Sequence, residues 1–112
     1  MDSSILARQD RVHLDNGMDL RLLSALEVLQ ARREAGELAC EDRERALCSN
    51  ACLLARALES GEKPVFDSGR AVLAGLTVSE IAALAGRWRE FDRKENPSAA
   101  GTAEELENVK KN

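Results

Sequence analysis

Residues 76–98, LTVSEIAALAGRWREFDRKENPS, constrain the fold more than any other part of this chain. Thr77 followed by Glu80 is a capping box, in which each side chain satisfies a backbone N–H that the first helical turn leaves open. Ile81, Leu84, Ala85, Trp88 and Phe91 then recur at three- and four-residue steps, so they share one face of a helix. Arg87, Arg89, Glu90, Asp92 and Arg93 fall largely outside that stripe. Pro97 cannot continue a helix and disfavours helical angles at Asn96, so the helix stops before it. With aromatic residues so scarce, Trp88 is expected at the centre of the core.

Two further helices follow from periodicity. Helix A is expected over about residues 20–35, with Asp19 as N-cap, Leu22, Leu23, Leu26 and Leu29 as its buried stripe and Gly36 as its stop. Helix B is expected over about residues 41–59. Its central stripe is Leu47, Ala51, Leu54 and Leu58, flanked by small residues, and Gly61 ends it. Asn50 borders the stripe and reads as a half-exposed polar residue. Residues 62–76 are irregular because Pro64 and the Asp67-Ser68-Gly69 turn break periodicity. Val65 and Phe66 are apolar enough to plug into the core. A short helical stretch follows and ends at Gly75.

The expected architecture is all-α: three main helices, an irregular N-terminal arm and a flexible C-terminal tail. Residues 1–18 are the arm, 19–96 the helical domain and 97–112 the tail. Within the arm, Arg11 to Leu14 alternates polar and apolar before the Asp15-Asn16-Gly17 turn, which reads as one strand of a short β-ribbon. Its partner is sought around Val65-Phe66 or Val72-Leu73. In the tail, Thr102 and Glu105 repeat the capping-box pattern, but a helix that short is marginal alone.

Composition narrows the function. At 112 residues the chain is expected to build one domain with one modest core. A net charge of −4 argues against general nucleic-acid binding, which needs an excess of phosphate-neutralising cations. The first residues lack the basic start and apolar run of a signal peptide, and no stretch is long and apolar enough to span a bilayer. A cytoplasmic location is the resulting expectation.

Cys40, Cys48 and Cys52 are odd in number, and His13 is the only histidine. Neither a disulfide framework nor a zinc site is expected, and the cysteines read as small packing residues. The carboxylates are scattered along solvent faces and caps, and no Gly-rich phosphate loop is present. No enzyme, cofactor or metal is expected. Ser79 to Gly86 resembles the first helix and turn of a helix-turn-helix. The apolar stripe, however, continues through Gly86, with Glu90 and Asp92 where a recognition helix would be basic. A degenerate helix-turn-helix in a small DNA-binding or regulatory protein is the alternative reading.

Two stretches resemble small proteins of phage and prophage tail morphogenesis. One comprises LSALEVLQARREA and RALCSNACLLARAL. The other runs over residues 64–98, with PVF, GRAVLAGLT, the Ile81…Trp88…Phe91 helix and a closing Asn96-Pro97-Ser98. The chain is similar to phage tail assembly chaperones. The resemblance implies a compact, non-enzymatic protein in the bacterial host cytoplasm that holds a helical tail protein such as the tape measure. It implies no active site. Val28, Leu53 and Phe91, each towards the edge of its helix's main stripe, are the candidate partner-binding residues.

Overall fold

The computed structural model describes residues 10–96. In chain order these are β1 (Arg11–His13), β2 (Asp19–Arg21), α1 (Ala25–Leu38), a 3-10 turn (Asp42–Glu44), α2 (Arg45–Ala57), β3 (Leu58–Ser60), β4 (Lys63–Pro64), α3 (Gly69–Gly75) and α4 (Val78–Glu95). The all-α expectation of three main helices is therefore corrected. Among the described residues, four α-helices are joined by one antiparallel sheet in the order β1-β2-β3-β4.

The sheet is short but its alternation is clean. Val12 pairs with Leu20, and Leu20 with Leu58, so one face carries an apolar row. The other face is charged. Glu59 is only 6% exposed, and its carboxylate accepts from the guanidinium of Arg11 and, at 3.2 Å, from Nε of Arg21. A buried carboxylate held by two arginines keeps its charge compensated, which an unpaired one could not. The predicted strand at Arg11 is present, but its partner is Asp19–Arg21 rather than Val65-Phe66 or Val72-Leu73. Asn16 shapes the connecting turn by accepting from the Met18 N–H at 3.1 Å, and Gly17 takes the left-handed φ of 83° that the turn requires.

Losing residues 19–21 to the sheet moves the start of the first helix. Asp19 is not its N-cap. Ser24 is, and it forms a full capping box with Glu27. Gly36 does not stop the helix, which runs to Leu38 and closes with the Ala39 N–H on the Ala35 carbonyl at 2.9 Å. The predicted stripe of Leu22, Leu23, Leu26 and Leu29 is corrected as well. Leu22 and Leu23 are half-buried in the connection before α1, while Leu26 and Leu29 are 61% and 49% exposed. Ala31 and Ala35 are the buried residues of α1. They pack with Cys48 and Cys52 of α2, a seam of small side chains that lets the two helices approach closely.

α2 is the hub, against which α1, α3 and α4 all pack. Ala51, Leu54 and Leu58 of the predicted stripe are buried and Leu47 is half-buried. The helix ends earlier than expected. Leu58 turns to extended angles while its N–H still bonds to the Leu54 carbonyl, so one residue completes the helical stripe and opens β3. Gly61 ends no helix. With Glu62 it forms the two-residue turn between β3 and β4, both at positive φ, the geometry a tight hairpin needs.

α3 and α4 close the core. Ser68 caps α3 by accepting from the Ala71 N–H at 3.1 Å. Gly69 has no room for a side chain: a Cβ there would lie 2.3 Å from Cys52 Sγ. Phe66 is half-buried against the core and covers Gly75, but Val65 is 37% exposed and does not plug in. α4 matches its expectation closely. Thr77 and Glu80 form the capping box, and Ile81, Ala85, Trp88 and Phe91 are the buried residues. Trp88 belongs to the same cluster as Leu20, Leu54 and Leu58, and its Nε1–H donates to the Arg21 carbonyl at 2.8 Å. That bond ties α4 to β2 and satisfies the indole's one donor. The Thr102–Glu105 pattern lies outside the described residues.

Candidate functional site: a groove over the central helix

α1 and α4 both rest on α2, and between them lies a groove of about 380 Å³. α1 contributes Val28, Ala31 and Arg32, α2 contributes Ser49 and Leu53, and α4 contributes Trp88, Arg89, Asp92 and Arg93. The walls follow from helical spacing. Val28, Ala31 and Arg32 are three and four residues apart, as are Ser49 and Leu53, and Trp88, Asp92 and Arg89, Arg93. The floor carries apolar carbon beside the Ser49 hydroxyl, because Val28 and Leu53 stand at the edges of stripes whose centres are spent on the core. A smaller groove between α1 and α2 shares Arg32 and Ser49 and runs on to Arg45.

The rim is basic. Arg89 Nη2 donates to the Asn50 side-chain carbonyl at 2.5 Å, so Asn50 positions a rim cation. Asp92 Oδ1 accepts from Asn96 Nδ2 at 2.9 Å. Arg32 and Arg93 have no ion-pair partner among the described residues. The lining presents apolar carbon and guanidinium groups, which is the chemistry of binding.

The three sequence-predicted contact residues separate here. Val28 and Leu53, from different helices, face the same groove. Phe91 does not. It is 7% exposed and lines a smaller groove of about 270 Å³, with Val12 of β1 and residues of α4 such as Arg87 and Lys94. Sequence reasoning missed Arg32, Arg89 and Arg93 as site residues. The available signal was their position: each sits one or two residues from the apolar face it borders, and Arg89 and Arg93 are one turn apart.

Other chemistry-bearing residues serve the scaffold. Glu34 of α1 accepts from Arg56 Nη1 at 2.8 Å and from the Gly69 N–H at 2.7 Å, joining α1, α2 and the start of α3. Burial alone would raise its pKa, but Arg56 and the Gly69 N–H outweigh that and hold it below the usual value. Burial, reinforced by the nearby Glu34 carboxylate, pushes the Cys52 thiol up to about 12. Cys48 is shifted the same way, first by burial. Both are protonated thiols in a packed seam rather than nucleophiles. Cys40 is exposed, and all three cysteines are free. Among the described residues no group of three or more His, Cys, Asp or Glu side chains is arranged to hold a metal, and no helix is long and apolar enough to cross a membrane.

α4 is a single uninterrupted helix through Gly86, so no turn divides it at the point the helix-turn-helix reading requires. Comparison with protein-family models, with curated proteins and with solved structures returned no match.

Proposed function

We propose that this chain is a non-enzymatic protein-binding module that docks a helical segment of a partner in the groove over α2. The observation that carries the reading is the meeting of Val28 and Leu53, from two helices, beside Trp88 on one apolar floor. Helix-in-groove recognition needs such a floor, because a partner helix reads it through a few apolar anchors at helical spacing. The likeness of the helices to phage tail assembly chaperones makes the partner a helical tail protein such as the tape measure, met in the bacterial host cytoplasm. A long amphipathic protein awaiting assembly needs its apolar stripe covered, and a small acidic module with an open apolar groove suits that task.

The test is co-expression with the long helical product of a neighbouring gene. Wild type should be captured with it, and a Leu53→Asp chain of unchanged helix content should not. Capture that ignores Leu53 would remove the groove from the reading. A DNA titration at two salt concentrations provides the contrast: tight, steeply salt-sensitive DNA binding without capture would overturn protein binding altogether.

A further inference from the structure

The groove carries a polarity that the docking reading alone does not require. We propose that it selects an acidic amphipathic helix, one whose apolar stripe is flanked on both sides by Asp or Glu. The inference rests on the groove being the docking site and adds the chemical class of the occupant. The whole chain has a net charge of −4, yet the groove gathers three guanidiniums against one carboxylate. Arg32 stands on the α1 wall and Arg89 and Arg93 on the α4 wall.

Several arginines elsewhere are paired. Arg11 and Arg21 hold Glu59, Arg45 reaches Asp42 and Arg56 reaches Glu34. At the groove Arg89 has only the neutral amide of Asn50, and Arg32 and Arg93 have no carboxylate partner among the described residues. Asp92, the one acid of the lining, takes its hydrogen bond from the Asn96 amide. Cations left over on both sides of an apolar floor are complementary to an occupant that carries anions on both sides of an apolar stripe. Arg89 and Arg93 are one helical turn apart, so one flank of the occupant should carry acids spaced three or four residues apart. A volume of about 380 Å³ takes anchor side chains while the helix itself lies across the mouth.

A displayed library of 18-residue amphipathic peptides tests this, with a fixed Leu stripe and flanking positions randomised among Glu, Gln and Lys. Selection is on the full chain, with counter-selection on Leu53→Asp. Enrichment of Glu at both flanks is expected, with about tenfold preference for an acidic over a neutral flank, the size two or three partly exposed ion pairs give. The Arg32→Glu, Arg93→Glu double variant changes only exposed residues, keeps the floor intact and should swing the enrichment towards Lys. Peptides selected with no charge preference, or a preference unmoved by the double variant, overturn the acidic occupant and leave the apolar groove standing. Failure to select any peptide over Leu53→Asp overturns the groove itself. Two other occupants would also overturn the assignment. Selection that works only after residues 97–112 are removed would make the chain's own tail the occupant. A concentration-dependent dimer abolished by the Arg double variant would make it a second copy.

Discussion

α1 and α4 begin alike and end in opposite packing. Each opens with a reciprocal capping box, Ser24 with Glu27 and Thr77 with Glu80. α4 then buries its large residues, Ile81, Trp88 and Phe91, while α1 buries Ala31 and Ala35 and leaves Leu26 and Leu29 outside. The difference lies in what each helix faces. α4 meets the broad apolar surface formed by α2 and the sheet, where large side chains fill space. α1 meets the Cys48 and Cys52 side of α2, where only small side chains allow close approach. Apolar character alone therefore does not decide which face of a helix is inside. The partner's shape does.

The comparison breaks most visibly at Trp88. Trp88→Ala should cost about 3–5 kcal/mol, because it empties a large core site and strands the Arg21 carbonyl. Urea unfolding would measure it. A loss under about 1 kcal/mol would put α4 in the same class as α1. Next comes enlargement of the small-residue seam. Ala31→Leu should destabilise by about 1–3 kcal/mol by forcing α1 away from α2, although leucine is the more apolar residue. A stabilised variant would show that the seam has spare room.

The capping acids give a smaller and pH-dependent contrast. The Arg21 side chain is the main cause holding the Glu27 carboxyl down at about 2, with the Ser24 N–H helping against burial. A depressed folded-state value stabilises at pH above the ordinary carboxylate range, and that stability is lost as pH falls from about 4.5 towards 2. Glu27→Gln should therefore unfold more easily at neutral pH and show a flatter stability profile through that acid window. Glu80 is fully exposed and lowered chiefly by the Thr77 N–H, so Glu80→Gln should flatten the profile less. The smallest effect is expected at the exposed leucines. Leu26→Ala and Leu29→Ala should each change stability by no more than about 0.5 kcal/mol. A larger loss in thermal melts would mean that the outer face of α1 is covered in solution.

The same contrast explains which parts of the fold were legible. α4 could be read from end to end because caps, period, aromatic size and Pro97 all agree. The leucines of α1 misled because their spacing fits a helical stripe and nothing in the sequence says how close α2 must come. β2 and β3 were hidden for a different reason. A three-residue strand is too short to display a period of two, and Leu20 and Leu58 fit helical registers as well as they fit the sheet. Glu59 carried no signal either, since its burial depends on Arg11 and Arg21 arriving from a distant hairpin. At the groove, Val28 and Leu53 could be picked out as stripe edges, but Phe91 by the same rule belongs to the core. The rim arginines read as an ordinary solvated face until three helices placed them around one floor.

The order of the sheet bears on how the chain is made. β2 is an inner strand, yet the edge it offers to β3 stays open until α1 and α2 have been synthesised. At ribosomal speeds of about 5–20 residues per second, roughly forty residues take about 2–8 s. During that interval the N-terminal ribbon is a two-stranded hairpin of marginal stability with Leu20 uncovered. The α1–α2 pair, whose contacts are local, is expected to form first and deliver Leu58 to the waiting strand. Ribosome-arrested chains would report this as exchange protection at residues 11–21 that appears only once residues 58–64 have emerged. The buried Glu59 clamp then acts as a latch at mid-synthesis: the amino-terminal ribbon is locked by a segment made well after it, with α3 and α4 still to come.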